Sequence, residues 1–317
     1  MRVVYFGSGA FGLPTLGALC DVHDVVGVVT QPDRPSGRGK VLTPTPVGGF
    51  AAERLPGVAV LKPERVNESG VREMIRGWDA DAWVVIAFGQ KLGRSLLADR
   101  FAVNLHASLL PRWRGAAPIN AAILAGDART GVSVITLAEE MDAGLVLGSA
   151  GRALDPSLTA GELHDVLALD GVGVVLDVLE RRVGGTLVGE AQDPALVTLA
   201  PKLSKADGWI DFLESAEACR RRVHGLTPWP GVGVVLGGVS LKLLRVGVEV
   251  CGHDAEPGVL LDLDGLISCG GGSGLRLLEV LPSGGRAMDF GSFARGRGVV
   301  VGALARSERE RCARSGT

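Results

Sequence analysis

The segment Val103 to Pro118, VNLHASLLPRWRGAAP, places an asparagine and a histidine two residues apart at the end of an apolar run. Strand alternation puts Asn104 and His106 on one face. An amide can donate to an oxygen that gains negative charge, and an imidazole can take or give a proton near neutral pH. Met141-Asp142-Ala143-Gly144 follows the next strand-like run, Val132 to Leu137, and can return a carboxylate to the same crevice. A carboxylate beside an imidazole stabilises the imidazolium. Taken singly, such a His is usually structural and an Asp before Ala-Gly is usually a turn former. The case rests on the three together, with no metal-ligand spacing in view.

These residues need a sheet to converge. Val3 to Phe6, Val25 to Thr30, Val58 to Leu61, Ala82 to Ala87, Ala102 to Leu105 and Val132 to Leu137 read as strands. Leu13 to Cys20, Asn67 to Arg76, Ile119 to Ala125 and Gly161 to Arg182 read as helices. AWVVIA is apolar throughout, as a strand covered on both faces must be. Strands alternating with helices predict an α/β fold, a doubly wound Rossmann-like parallel sheet. Open sheets of that kind carry their sites at the C-terminal ends of the strands.

Beyond about Gly184 the texture changes. A loop-like stretch leads to one helix, Ala216 to His224, and then to short Val/Leu/Gly-rich segments that predict a small C-terminal antiparallel β-barrel, OB-like in character. The expected domains are 1–188 (catalytic), 189–205 (linker) and 206–317 (the barrel), with the chemistry complete before about residue 190. The tail from Ala303 is charged and expected to fray.

Gly7, Gly9 and Gly12 match G-x-G-x-x-G between a strand and a helix, the setting of a dinucleotide fingerprint. The second strand, however, ends at Gln31, where an acid for a ribose hydroxyl is wanted, and Asp33 comes too late. The expectation is a tight turn that needs small residues.

The run NLHASLLPRWRGAAPINAAILAGDARTGVS…MDAG resembles the folate-dependent formyltransferases. That family has an N-x-H strand end, an S-L-L-P loop, R-G-A-A-P and a later Asp-x-Gly. The likeness covers about residues 2 to 290. QPDRPSGRGKVLTPTPV, PKLSKADGWIDF and LTPWPG resemble the branch that acts on a charged tRNA. Departures are Gly7-Ser8-Gly9 for G-T-P, Ala107 for Gly, Phe88-Gly89 for Tyr-Gly and Met141-Asp142-Ala143 for Leu-Asp-Thr. None removes a group the chemistry needs.

The resemblance implies transfer of a formyl group from 10-formyltetrahydrofolate to the α-amine of initiator methionyl-tRNA, without a metal. Asn104, His106 and Asp142 would be catalytic. Phe88, Gly89, Gln90, Leu92, Ser108, Leu109, Leu110, Pro111, Glu139, Glu140 and Gly144 would contact the folate. Arg34, Arg38 and Lys40, in a turn-rich stretch expected to resist helix and strand alike, would contact the tRNA. Lys202, Lys205, Arg220, Arg221 and Arg222 would add positive charge to the second domain. Alternatives are a formyltransferase for an amino sugar or small amine, a nicotinamide oxidoreductase built on the glycine turn, and a catalytically silent RNA-binding protein.

With 46% hydrophobic and 21% charged residues in 317, the chain can bury a core and is not of disordered composition. A net charge of −2 limits any nucleic-acid contact to local patches. Five scattered cysteines, Cys20, Cys219, Cys251, Cys269 and Cys312, with no C-x-x-C pair, argue against a zinc knuckle or a disulfide framework. No apolar stretch is long enough for a membrane span, and the N-terminus lacks the apolar length of a signal peptide. The expectation is a cytoplasmic monomer that binds neither membrane nor DNA.

Overall fold

The computed structural model describes residues 1–37 and 39–308. It divides into two compact units. One comprises Met1–Gly115, Thr130–Arg152 and His164–Leu199; the other comprises Ala116–Arg129, Ala153–Leu163 and the chain from Ala200 onward.

In chain order the first elements are β1 (Arg2–Gly7), α1 (Leu13–Val22), β2 (Asp24–Val29), β3 (Arg34–Ser36), β4 (Val41–Thr43), α2 (Pro46–Arg54), β5 (Ala59–Leu61), α3 (Ser69–Gly77), β6 (Ala82–Ile86), α4 (Arg94–Leu97) and β7 (Ala102–His106). They continue with β8 (Arg114–Gly115), α5 (Pro118–Ala125), β9 (Arg129–Thr136), β10 (Val146–Ala153) and α6 (Ala160–Val183). Seven strands form one sheet in the order β10-β9-β7-β6-β1-β2-β5. β1, β2, β5, β6 and β7 run parallel, as the alternating pattern predicts.

Every residue of β6 is buried, because apolar side chains cover both faces. Val4, Phe6, Trp83 and Val85 face one layer, with the Phe6 ring 5.2 Å from Trp83 and 5.7 Å from Phe88. Val3, Tyr5, Val84 and Ile86 lie buried on the other face. Beyond β10, α2 and α4, which the sequence pattern does not mark, two features depart from the expected fold. β9 pairs with β7 antiparallel, so the sheet is parallel only in its main part. The stretch after β2 is a two-stranded hairpin, with Arg34 opposite Thr43 and Ser36 opposite Val41. Its prolines and glycines are compatible with so short a ribbon because it sits at no sheet interior. α2 escapes the periodicity because Gly48 and Gly49 interrupt its apolar pattern; Thr45 caps it by accepting from Gly48 N, with Pro46 at its first position.

The later elements are β11 (Leu199–Ala200), α7 (Ala216–Leu226), β12 (Val232–Leu236), β13 (Val239–Val250), β14 (Leu266–Cys269), β15 (Ser273–Pro282), β16 (Met288–Asp289), α8 (Phe290–Arg297) and β17 (Ala305–Ser307). An antiparallel sheet runs β14-β15-β13-β12-β17, with β16 on β15. Gly237 and Gly238, at φ 56° and 83°, make the two-residue turn between β12 and β13, which requires positive φ at both positions. Cys219, Val223 and Leu226 of α7 pack into the core with Val234, Leu243, Leu277 and Phe293. The tail does not simply fray from Ala303: Val234 to Leu236 pair with Ala305 to Ser307. Among the described residues no helix is long and apolar enough to cross a membrane.

Candidate active site

β7 ends at His106 and is bounded by β6 on one side and β9 on the other. His106 is 6% exposed. Its Nε2 lies 2.9 Å from the Trp113 carbonyl oxygen. A carbonyl only accepts, so Nε2 carries a hydrogen there. Nδ1 faces Asp142 Oδ2 at 3.6 Å, a charge contact too long for a direct hydrogen bond. The same Oδ2 accepts from Gly115 N at 2.9 Å. Asn104, on the same strand face, is half-buried, and among the described residues its side-chain amide makes no hydrogen bond. Asn104, His106 and Asp142 thus stand as an open donor, a held imidazole and a nearby carboxylate.

Two residues around the ring are held in the left-handed backbone region: Trp113 at φ 62° and Asp142 at φ 54°. Asp tolerates that region, but for a bulky Trp it is an outlier of the kind that clusters at functional sites. Thr198 secures the Trp113 turn: its Oγ1 accepts from Trp113 N at 2.9 Å, and its carbonyl accepts from Arg114 N at 2.9 Å.

The S-L-L-P turn is fixed by its own hydroxyls. Ser108 Oγ donates to Arg112 O at 2.6 Å, and Ser133 Oγ donates to Ser108 O at 2.8 Å and accepts from Leu110 N at 3.1 Å. Leu109, Leu110 and Pro111 are half-buried beside it, with a cis peptide before Pro111. Phe88 and Leu92 are buried core residues, so their side chains shape the layer beneath the strand ends. Gln90 is held at both ends of its amide: Oε1 accepts from Val66 N and Nε2 donates to Pro63 O, at 2.8 and 3.0 Å. Gly89 takes φ 85° beside the Gln31 amide. Glu139 and Glu140 are exposed, the first ion-paired with Arg94 and the second 3.5 Å from Arg114. A Cβ at Gly144 would overlap the Thr136 carbonyl, so that position needs glycine.

The sequence reading missed Gln192, which bonds the Asp142 and Gly144 carbonyls. It also placed the chemistry before residue 190, whereas Gln192 and Thr198 both brace the site. No sequence signal marks them: each is a lone polar residue in an irregular stretch.

The glycine turn is structural. Ser8 N and Gly9 N donate to Ala87 O, Ser8 Oγ donates to Phe88 O, and Tyr5 Oη donates to Gly12 O at 3.0 Å. A Cβ at Gly12 would overlap that hydroxyl. Donors already engaged in this way cannot cradle a pyrophosphate.

In the hairpin, Arg34 pairs with Glu64 at 2.5 Å, and exposed Lys40 sits at φ 48°. Arg38 lies outside the described residues. Arg220 and Arg221 bond Glu217, and Arg222 donates to Trp209 O and Asp207 O with its guanidinium 4.0 Å from the Trp209 ring centroid. Those three arginines brace their own unit rather than forming an open basic patch.

The Formyl transferase family profile matches residues 1–179, and a Formyl transferase C-terminal domain profile matches residues 202–298. A Bacillus licheniformis protein named methionyl-tRNA formyltransferase is 39% identical over 95% of this chain and 96% of its own. One of the same name from Acidiphilium cryptum is 42% identical over 95% and 99%. In fold, the chain is similar to WlaRD, a sugar 3N-formyl transferase solved with dTDP and 5-N-formyl-THF (TM-score 0.66, 11% identity, 89% of this chain and 97% of that one). It is also similar to Aquifex aeolicus HypX in complex with tetrahydrofolic acid (TM-score 0.61, 16% identity, 94% of this chain and 48% of that one).

Proposed function

The chain belongs to the formyl transferase family, and from that premise we propose that it transfers a formyl group from 10-formyltetrahydrofolate to the α-amine of methionyl-tRNA. The observation that carries the chemistry is the open Asn104 amide on the same strand face as a buried imidazole that faces Asp142. The relatives at about 40% identity over nearly their whole length support the acceptor.

In the transfer, the amine nitrogen bonds the formyl carbon, the bond from that carbon to the folate nitrogen breaks, and one proton passes from amine to folate nitrogen. The carbonyl oxygen gains negative charge on the way, and Asn104 donates to it. His106 Nδ1, the ring nitrogen not bound to Trp113 O, handles the proton, and Asp142 stabilises the charged ring. The residues beside β7, from Ser108 to Pro111 and from Glu139 to Gly144, with the Phe88 to Leu92 turn, border the formyl donor. Residues before about 200 carry the chemistry. The hairpin, through Arg34, Arg38 and Lys40, contributes to RNA binding together with the C-terminal unit.

The test offers labelled formyl-folate with methionyl-tRNA, other aminoacyl-tRNAs, amino sugars and small amines. Label on methionyl-tRNA above all other acceptors is expected. Preferred labelling of an amino sugar or small amine overturns the acceptor, and no transfer to any amine overturns the reading.

A further inference from the structure

No strand delivers Asp142 to His106. Because β9 runs antiparallel to β7, its last residue, Thr136, lies opposite Val103. That is three residues back from the strand end, roughly 10 Å along β7. Yet Asp142 Oδ2 stands 3.6 Å from His106 Nδ1. The loop from Leu137 to Gly144 must therefore double back, and Asp142 takes φ 54° within it.

Gln192 meets this loop on its backbone. Its Nε2 donates to Asp142 O and to Gly144 O, both at 2.8 Å, and its Oε1 accepts from Arg114 Nε at 3.0 Å. A guanidinium only donates and carbonyls only accept, so the orientation of the amide is fixed by its partners. Arg114 is 8% exposed, and its second arm lies 3.5 Å from Glu140 Oε1 on the same loop. One amide thus bridges the backbone of the carboxylate loop to a buried arginine adjoining Trp113, whose carbonyl holds the imidazole.

We propose that Gln192 is a positioning residue: its amide holds the Asp142 loop against His106, with Arg114 setting the amide's orientation. As a statement about catalysis this rests on the formyl-transfer reading above; as a statement about the His106–Asp142 pair it does not. Gln192 touches no reacting atom, and its effect passes through Asp142.

Gln192→Glu keeps the size and the Arg114 partner but sets an oxygen against two carbonyls. In the full-length protein it should lower kcat for methionyl-tRNA about a hundredfold, the scale of a catalytic group misplaced by about an ångström. KM for the formyl donor should change little. In an Asp142→Asn background the same change should add little further loss. The 15N shifts of the His106 ring, read without substrate, should move in Gln192→Glu. Arg114→Lys, which removes the Nε donor, should give a smaller loss of the same kind and serves if Gln192→Glu does not fold. Parent-like kcat and ring shifts in the variants overturn the inference. So does an equal loss with and without Asp142, which marks a general brace. A wild-type protein without transfer activity overturns the formyl-transfer reading alone, because the ring shifts still decide the positioning.

Discussion

Two strand ends of one sheet, those of β1 and β7, use similar materials to opposite ends. At β1 the Gly7-to-Gly12 turn bonds its donors internally: Ser8 N and Gly9 N to Ala87 O, the Ser8 hydroxyl to Phe88 O, the Tyr5 hydroxyl to Gly12 O. At β7 the Asn104 amide is left open among the described residues, and the imidazole has one nitrogen anchored and one facing a carboxylate across 3.6 Å. The first end is closed and unstrained apart from its need for glycine. The second holds Trp113 and Asp142 at positive φ. A glycine signature alone therefore says little about binding; what matters is which polar groups the fold leaves without a partner.

The widest separation between the two ends should come from His106→Ala and Asn104→Ala. Each should lower kcat by about a hundredfold or more, since loss of one oxyanion donor costs about 3 kcal/mol. The melting temperature should stay near the parent's in Asn104→Ala and fall somewhat in His106→Ala, whose buried ring holds the Trp113 carbonyl. Near-normal turnover in folded His106→Ala protein would break the comparison.

Gly12→Ala should do the reverse. The added methyl collides with the Tyr5 hydroxyl, so stability should fall by about 1–3 kcal/mol, as for other overpacked cores. Turnover per folded molecule should hold. Denaturant midpoints measured beside kcat decide it, and a loss of folate binding without loss of stability would revive a ligand role for the turn.

A buried histidine away from the site gives a further contrast with His106. His224 is 1% exposed, its Nδ1 donating to Pro156 O and its Nε2 accepting from Val246 N. Burial lowers its pKa from the ordinary 6.5, against the Pro156 bond, with Arg220 and Arg245 adding to the lowering. The native state therefore keeps His224 neutral where the unfolded chain binds a proton. Stability from this group is complete above about pH 6.5 and declines as pH falls below it, by at most about 1.4 kcal/mol per pH unit. Urea midpoints between pH 7.5 and 5.5 should fall in the parent and fall less in His224→Asn. Parallel curves would remove His224 as the cause.

The smallest effect belongs to the hairpin. Lys40→Ala should weaken tRNA binding modestly and reduce the slope of log K against log salt by about 1, with folate affinity unchanged. Titrations at several salt concentrations check it; equal slopes would take Lys40 out of the RNA contact.

Most strands of the main sheet, most helices and the Asn104-x-His106 pair were legible because periodicity and short spacing are local properties; β10 was not, its Gly148, Ser149 and Gly151 giving no strand pattern. The hairpin at Arg34 and Val41 was not, since Pro35, Gly37 and Gly39 argue against strand unless a partner strand forms across the turn. α2 and α8 were obscured by internal glycines at 48, 49, 291 and 296, which tertiary packing tolerates and local propensity does not. The arginines at 220 to 222 read as an open basic cluster because charge is visible in a sequence and its partners are not.

By itself the sequence determined which side chains could do the chemistry, that an alternating α/β sheet would present them at strand ends, and that a glycine-rich antiparallel segment would follow. Only the tertiary structure decided that β9 runs against β7, that the Asp142 loop must double back to meet His106, and that Gln192 and Thr198, 48 to 85 residues from their partners, bond the loops on either side of the ring. The physical reason is the range of the interactions. Apolar periodicity is written within a few residues, whereas a hydrogen bond between a lone glutamine and a distant carbonyl leaves no pattern until the chain has folded.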